Sequence, residues 1–472
     1  MKAREYEKKG YITVSLALIL VLVISLCMAL IEGCRRSTIM LVAECAIDTG
    51  MNSILAEYHR ELLNQYGLFF IDTSYGTAVP DYGVTLEHLQ SYVEANLSDR
   101  EPVLELVTED FLDLHWDEGE IIGLSVSADE NGAVLRRQIS EYMKEQIGVS
   151  YLEGVLDWLD IVENHNLTGN WYTDMKQNAE TGLEQWMVDI ETDSESRELT
   201  YIEDLLKNLQ EQSLDLLLGT GELSDAHIAG EKFLSKRELL QGSGMNPALS
   251  FSDDMTDGLF LNEYIIEKTG RYNREKTNGR LAYQTEYILC GLDSDVANIS
   301  EISDRLFGLR AAADAVHIMG NEKKMNLIAE TADLISAAVG LPEISVLLQV
   351  LFVVIWASTE AVWDVGQLLD GGEIPLIKSE RQWHYDLDIS KNNVEEENSG
   401  GLKYEDYLRI FLAFQDKKIT TYRLMDVMEM DIRLTPGNDN FRMDGCVDSV
   451  TVCIDLESGY GYQFYITRNY GY

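Results

Sequence analysis

The first forty positions divide sharply into polar and apolar. A leader of mostly polar residues, MKAREYEKKG, is followed by 21 consecutive uncharged, mostly apolar positions, Tyr11 to Ile31 (YITVSLALILVLVISLCMALI). A run of that length crosses the roughly 30 Å hydrocarbon core of a bilayer as a helix, so residues 11–31 are expected to be a transmembrane helix. Beyond it the pattern turns amphipathic. Ala43, Ile47, Gly50, Ile54, Tyr58 and Leu62 recur at three- and four-residue steps, with Glu44 and Asp48 on the polar side, as on one helix face. No proline occurs before Pro80. Read as one helix, Tyr11 to Tyr66 would extend roughly 84 Å at about 1.5 Å per residue.

The rest of the chain alternates helical periodicity with short extended runs. Residues 67–72 (GLFFID) read as a short buried strand, Val84 to Leu97 as a helix, and 103–128 as strands. From Gly132 to about Leu240 the pattern is helical, with polar breaks at 164–170 and 219–221. Small and polar residues crowd 241–258, the best linker candidate. A helix or strand at 259–268, a basic turn at 271–280 and helices at about 281–290, 296–319 and 322–339 follow. The apolar run Ile344 to Ala357 is 14 residues long with Gln349 inside it. That suits a buried core helix better than a second span. Residues 390–401 form a polar loop, Tyr404–Phe414 and Thr421–Met430 read as amphipathic helices, and Val447–Ile454 and Tyr462–Thr467 as paired strands. The fold class is therefore α+β and mostly helical: a long N-terminal transmembrane-plus-amphipathic helix and a large helical body with short strands. The expected segments are a leader (1–10), a transmembrane helix (11–31), a stem with a first α+β segment (32–130), a helical middle region (131–258) and a helical C-terminal region ending in strands (259–472).

Charge orients the anchor. Lys2, Arg4, Lys8 and Lys9 precede the run, against Arg35 and Arg36 after it; basic residues flanking a span favour the cytoplasmic side. The expected placement is a single-pass protein of the cell membrane with its body extracellular. Four fates of the leader stay open. A cleaved secretory signal needs a shorter core and an A-x-A-like site, and a lipoprotein signal would use Cys34 behind an unfavourable Glu32. An uncleaved anchor needs neither. In the fourth, Gly10 and Tyr11 flank a cut at the cytoplasmic edge, because basic residues, glycine and then an aromatic opening an apolar run resemble a prepilin-type leader. Such leaders usually carry glutamate at the fifth mature position, where this chain has Ser15.

The formal charge of the chain is −44, and without the leader's two acids and four bases the remainder carries about −46. A surface this acidic repels phosphate backbones, so nucleic acid is not an expected partner. The bilayer is. Six cysteines without a C-x-x-C are too few for a disulfide framework; Cys446 and Cys453 could pair across a hairpin, but mostly buried free thiols are expected.

No catalytic motif emerges. The seven histidines are never closer than 27 residues, which excludes H-E-x-x-H and similar local zinc sites. G-x-S-x-G, G-x-x-x-x-G-K-[ST] and G-x-G-x-x-G are all missing from the sequence. No enzyme activity, cofactor or metal is expected. One calcium-like spacing occurs: Asp386, Asp388, Ser390, Asn392 and Glu397 fall at loop positions 1, 3, 5, 7 and 12, but Lys391 stands where the turn wants glycine. A solvated acidic turn is the better reading.

Several segments together resemble a family of uncharacterised, membrane-anchored proteins of Gram-positive bacteria associated with tight-adherence (Flp-type) pilus and secretion loci. They are Gly10–Val14, then Glu57-Tyr58 through Leu62, Tyr66, Leu68, Phe69, Phe70 and Asp72, then Tyr283-Gln284-Thr285-Glu286-Tyr287-Ile288-Leu289-Cys290-Gly291 with Asp295 and Asn298. Glu360, Asp364, Leu368, Pro375-Leu376, Trp383, Tyr404, Tyr407-Leu408-Arg409 and Met425-Asp426 continue the series. The N-terminal element is similar to pseudopilin-like minor components. The resemblance implies an extracellular structural or assembly component of a pilus-like apparatus, with pilus or secretion-machine subunits as partners through the N-terminal helix. An anchored surface binding module or adhesin is the alternative.

Overall fold

The computed structural model describes residues 3–77, 79–98, 113–147, 149–189, 207, 223–229, 233–244, 255–387 and 401–472. The fold is α+β and mostly helical, and the chain forms two compact units. The first is built from Met1–Glu130, Leu240–Ser250 and Asn440–Tyr472, the second from Asn131–Leu239 and Phe251–Asp439. Neither is continuous in sequence. The division expected at 131–258 and 259–472 therefore does not match the units, because pairing of the C-terminal strands draws them to the N-terminal segment.

The first unit starts with α1 (Ala3–Leu55), 53 residues long. Every residue from Tyr11 to Ile31 is exposed, whereas Ile39, Ala43, Ile47, Met51 and Ile54 are buried. The second half of α1 packs with α3 (Tyr82–Ser98) on a sheet whose inward side chains include Val450, Val452, Ile454, Leu456, Phe464 and Ile466. Gly50 allows α1 to approach α3: a Cβ there would lie 2.6 Å from Val93 Cγ2. The sheet is antiparallel. β4 (Cys446–Ser458) lies beside β2 (Leu114–Val126) on one edge, and beside β5 (Gln463–Gly471) and the short β1 (Ile71–Asp72) on the other. Three register shifts interrupt the β2–β4 ladder, which strengthens its local twist.

Two sequence expectations are corrected here. The long helix stops at Leu55, not Tyr66, giving 45 residues or roughly 68 Å from Tyr11. The chain leaves the helix because residues 57–59 find other partners. Tyr58 bridges to Ile71, and His59 donates its N–H to the Phe70 carbonyl at 2.8 Å. Glu57 accepts from the Tyr92 hydroxyl at 2.6 Å and lies 3.1 Å from His88 Nδ1. His59 then caps the following α2 (Arg60–Tyr66), its Nδ1 accepting from the Leu62 N–H. The second correction concerns the two ends of 241–258, of which 245–254 lie outside the described residues. Ser243 and Gly244 form β3 against β2, and the next helix begins at Met255.

The second unit contains α4 (Asp129–Gln146, from Asn131 onward), α5 (Val149–Asn164), α6 (Trp171–Asp189), α7 (Met255–Lys268), α8 (Gln284–Cys290), α9 (Asp295–Gly320), α10 (Glu322–Val339), α11 (Ser345–Leu369), α12 (Tyr404–Phe414) and α13 (Lys417–Ile432). Starts are capped as their sequences dictate: Ser294 accepts from the Ala297 N–H, Asn321 from Lys323 and Lys324, and Asp416 from Ile419, each satisfying amides that lack helical partners. α9 and α11 pack together with α6 and α10 against them. Most of α11 is buried, as expected for Ile344–Ala357, but the helix runs on to Leu369. It does so because Glu360 and Asp364 find partners inside the protein.

The six cysteines, all among the described residues, form no disulfide. Cys446 and Cys453 lie on the same strand, about 23 Å apart at roughly 3.3 Å per residue, so they cannot pair. Cys27, Cys34 and Cys45 on α1 are exposed rather than buried, since they lie off its packed face.

Candidate functional site

Buried charge is concentrated in the second unit. Glu360 and Asp364, one turn apart on α11, share a face, as do Arg310 and Asp314 on α9. All four side chains are essentially inaccessible. Lys378, from the segment after α11, inserts between them, with Nζ 2.6 Å from Glu360 Oε1, 2.6 Å from Asp364 Oδ1 and 4.0 Å from Asp314 Oδ2. The Arg310 guanidinium donates to Asp364 at 2.9 Å and Asp314 at 3.0 Å, and also to the Pro375 and Leu376 carbonyls and the Tyr407 hydroxyl. Glu360 further accepts from the His384 and Tyr385 N–H groups.

Three carboxylates face two basic side chains, Arg310 and Lys378, in this cluster. The carboxylate with the weakest compensation is Asp314, whose Oδ2 accepts no hydrogen bond among the described residues. Burial pushes its carboxyl above the usual carboxylate range, against the opposing charges of Lys378 and Arg310. Glu360 is held down at about 2: burial opposes this, but the hydrogen bonds from His384 and the charge and hydrogen bond of Lys378 prevail.

Glu360, Asp364 and His384 also present metal-ligand atoms within 4.8 Å of one another. The Lys378 ammonium already lies 2.6 Å from both carboxylates, supplying the positive charge a cation would bring. The His384 ring stacks on Trp363 with centroids 3.4 Å apart. These residues form a clamp that ties the 375–385 segment to α9 and α11.

Beside the clamp, Lys324 of α10 lies in an aromatic box, its Nζ 3.0 Å from the Trp383 ring centroid and 4.4 Å from that of Trp356. Burial lowers its pKa to about 7.

A second constellation surrounds α8. Gln284 donates to Asp431 at 2.8 Å, Thr285 to the Gly270 carbonyl at 3.1 Å and the Tyr287 hydroxyl to Asp426 at 2.9 Å. Glu286 accepts from the Tyr404 hydroxyl at 2.7 Å and the Tyr272 N–H at 2.8 Å; complete burial pushes its pKa up to about 7. Asp295 accepts from the N–H groups of Ala282 and Tyr283 and from the Ser224 hydroxyl. Arg409 joins Glu263 and Asp406, both at 2.8 Å.

The structure thus gathers many residues of the quoted segments that are far apart in sequence. Glu360, Asp364, Pro375, Leu376, Trp383 and Tyr407 meet around Arg310 and Lys378, and Tyr283–Gly291, Asp295, Tyr404 and Asp426 meet around α8. Sequence reasoning missed Arg310, Lys378 and Lys324. The available signal was two acids four residues apart on an otherwise apolar helix, which demands internal cations. Gly10 and Tyr11 lie within α1, with Tyr11 exposed. Of the calcium-like set, Asp386 is described, whereas Asp388, Ser390, Asn392 and Glu397 lie outside the described residues.

Among known proteins, a family model with the description "Family of unknown function (DUF5702)" matches residues 191–458. No curated protein and no solved structure matches the chain. The match takes in the Arg310 clamp and the α8 constellation and leaves out α1 and β5.

Proposed function

We propose, for a chain that belongs to the DUF5702 family of unknown function, a membrane-anchored structural role in a surface assembly of pilus-like build. α1 crosses the cell membrane once and carries both folded units outside the cell. The observation behind this reading is the division of α1: apolar side chains exposed on every face from Tyr11 to Ile31, then one face packed on a sheet. An all-round apolar surface of that length is stable in lipid or in a bundle of similar helices. A half-embedded, half-packed helix resembles the build of pseudopilin-like components.

The buried charges support a structural rather than a chemical use, because they join segments to one another and Glu286 and Glu360 lie away from solvent. Partners are the bilayer and, through α1, helices of pilus or secretion-machine subunits. Ser15 limits this role. Without a carboxylate there, a terminal amine of a neighbouring subunit buried in the bundle would stay unpaired, at a cost of several kcal/mol. A capping or initiating subunit in few copies fits better than a polymerising one.

Terminal sequencing of protein extracted from membranes tests the proposal. Processing after Gly10 should leave Tyr11 as the first residue, and Gly10→Leu should restore Met1. A native terminus at Met1, in cells shown to process their pilins, would favour an anchored binding module instead. Labelling of Cys45 by a membrane-impermeant maleimide in intact cells checks the orientation. Protection until lysis would reverse it.

A further inference from the structure

β4 and β5 are joined by a tight turn, Ser458-Gly459-Tyr460-Gly461-Tyr462. Gly461 has φ +81°, a backbone conformation strained for other residues. Its N–H donates to the Ser458 carbonyl at 2.7 Å, and the Ser458 N–H donates to the Tyr462 carbonyl at 2.9 Å. This is a short hairpin loop with a left-handed glycine. A Cβ at Gly459 would overlap the Asp113 carboxylate. The large groups at the tip are therefore the two tyrosines, Tyr460 being 44% exposed and Tyr462 half-buried.

β5 runs along α1 in the same direction. The Tyr462 hydroxyl donates to Glu32, Arg468 Nε to Asp48 at 2.8 Å and the Tyr472 hydroxyl to the Leu55 carbonyl. Ten strand residues at roughly 3.3 Å match 23 helix residues at roughly 1.5 Å, so the turn is held at the end of the stem where the apolar run stops. Arg35 lies over the Tyr460 ring at 4.5 Å and Arg36 is 5.9 Å from the Tyr462 ring centroid. Residues 11–31 rise about 31 Å, the thickness of the hydrocarbon core. The headgroup layer then falls at Glu32–Arg36, beside the tip.

We infer that the β4–β5 hairpin tip is a second membrane contact, with Tyr460 and Tyr462 seated in the lipid headgroup layer beside Glu32–Arg36. The inference rests on the reading of α1 as the bilayer-spanning anchor. Tyrosines favour this layer because their rings are apolar and their hydroxyls polar, and the hairpin satisfies its own backbone. Continuity with the span identifies lipid as the occupant. Glu32, which pairs with Arg35 at 3.3 Å, and the neighbouring Asp113 and Glu457 keep the tip from being a basic patch, so the aromatic rings should seat it in zwitterionic as well as anionic bilayers. A body on one helix is free to tilt; a second contact would fix the tilt of the sheet.

The test is photo-crosslinking of the full chain in phosphatidylcholine vesicles, with and without phosphatidylglycerol, using benzoylphenylalanine at position 21, 460 or 467. Position 21 probes the anchor alone. Thr467 is exposed and about 16 Å farther along the strand. Lipid adducts are expected at 21 and 460, with at least tenfold more at 460 than at 467 in both vesicle types. Adduct at 21 but none at 460, equal adduct at 460 and 467, or only protein adducts at 460 would overturn the tip contact while leaving the anchor intact. No adduct at 21 would overturn the anchor, and the tip contact with it.

Discussion

The first half of α1 shows apolar side chains on every face, whereas α11, also long and apolar enough to cross a bilayer, hides most of its surface inside the second unit. Every residue from Tyr11 to Ile31 is exposed, whereas 16 of the 25 residues of α11 are buried. Length does not separate them. What does is the pair Glu360 and Asp364, which would be expensive in lipid but is affordable where Arg310 and Lys378 approach within 3 Å. An apolar helix bearing acids on one face announces cations from its own protein. An apolar helix bearing none is free to face lipid or other helices.

The sharpest way to break this comparison is to place the same charge in both helices. Leu351→Asp buries an unpaired carboxylate, heavily penalised, and should abolish the cooperative melt of the second unit in detergent-solubilised protein. Leu20→Asp should leave that melt unchanged and reduce retention in membranes. Equal melting of the two variants would end the distinction.

Removing a cation comes next. Arg310→Met takes the guanidinium from Asp314 and Asp364 and leaves Asp314 only the Lys378 ammonium at 4.0 Å; breaking a buried pair costs about 3–5 kcal/mol. A fall in Tm of about 10 °C by circular dichroism is expected. An unchanged Tm would mean that the clamp is dispensable.

A smaller effect follows from Glu286. Its folded pKa of about 7 lies above the usual 4.5, so its contribution is complete below about pH 4.5 and is lost as pH rises through about 7, on the order of 3 kcal/mol. Glu286→Gln should flatten the decline of Tm over this range. Part of the slope should persist, since burial also pushes Asp426 up to about 6. The smallest change is expected from Lys324→Met. The lowered lysine pKa makes the charged form a liability in the folded state below about pH 7. Because methionine also gives up the cation–π contacts with Trp383 and Trp356, which offset most of the desolvation it relieves, the variant should gain only about 2 °C at pH 6, and the gain should vanish above pH 10. A loss of stability at pH 6 would show that the cation–π contacts with Trp383 and Trp356 outweigh desolvation.

Much of the local structure was legible in periodicity. Residues 322–339 and Tyr404–Phe414 form helices over the expected ranges, and the two C-terminal strands pair as expected. The end of α1 was not legible. Its stripe continues through Tyr58 and Leu62, and the interruption comes from Ile71, His88 and Tyr92 competing for residues 57–59. The clamp was also hidden, because Arg310 and Lys378 lie 54 and 14 residues from Asp364, and in so acidic a chain no carboxylate stands out.

By itself the sequence determined what depends on neighbours along the chain: the apolar run of α1, the helical and strand periods, the caps and the glycine-flanked tyrosines of the last turn. Only the tertiary structure decided which acids are buried, where α1 stops, and that the N- and C-terminal segments share one sheet. The reason is physical. Periodicity and propensity act over a few residues, whereas the cost of burying a charge is set by whatever lies within about 4 Å of it, and the fold draws those partners from segments that the sequence keeps apart.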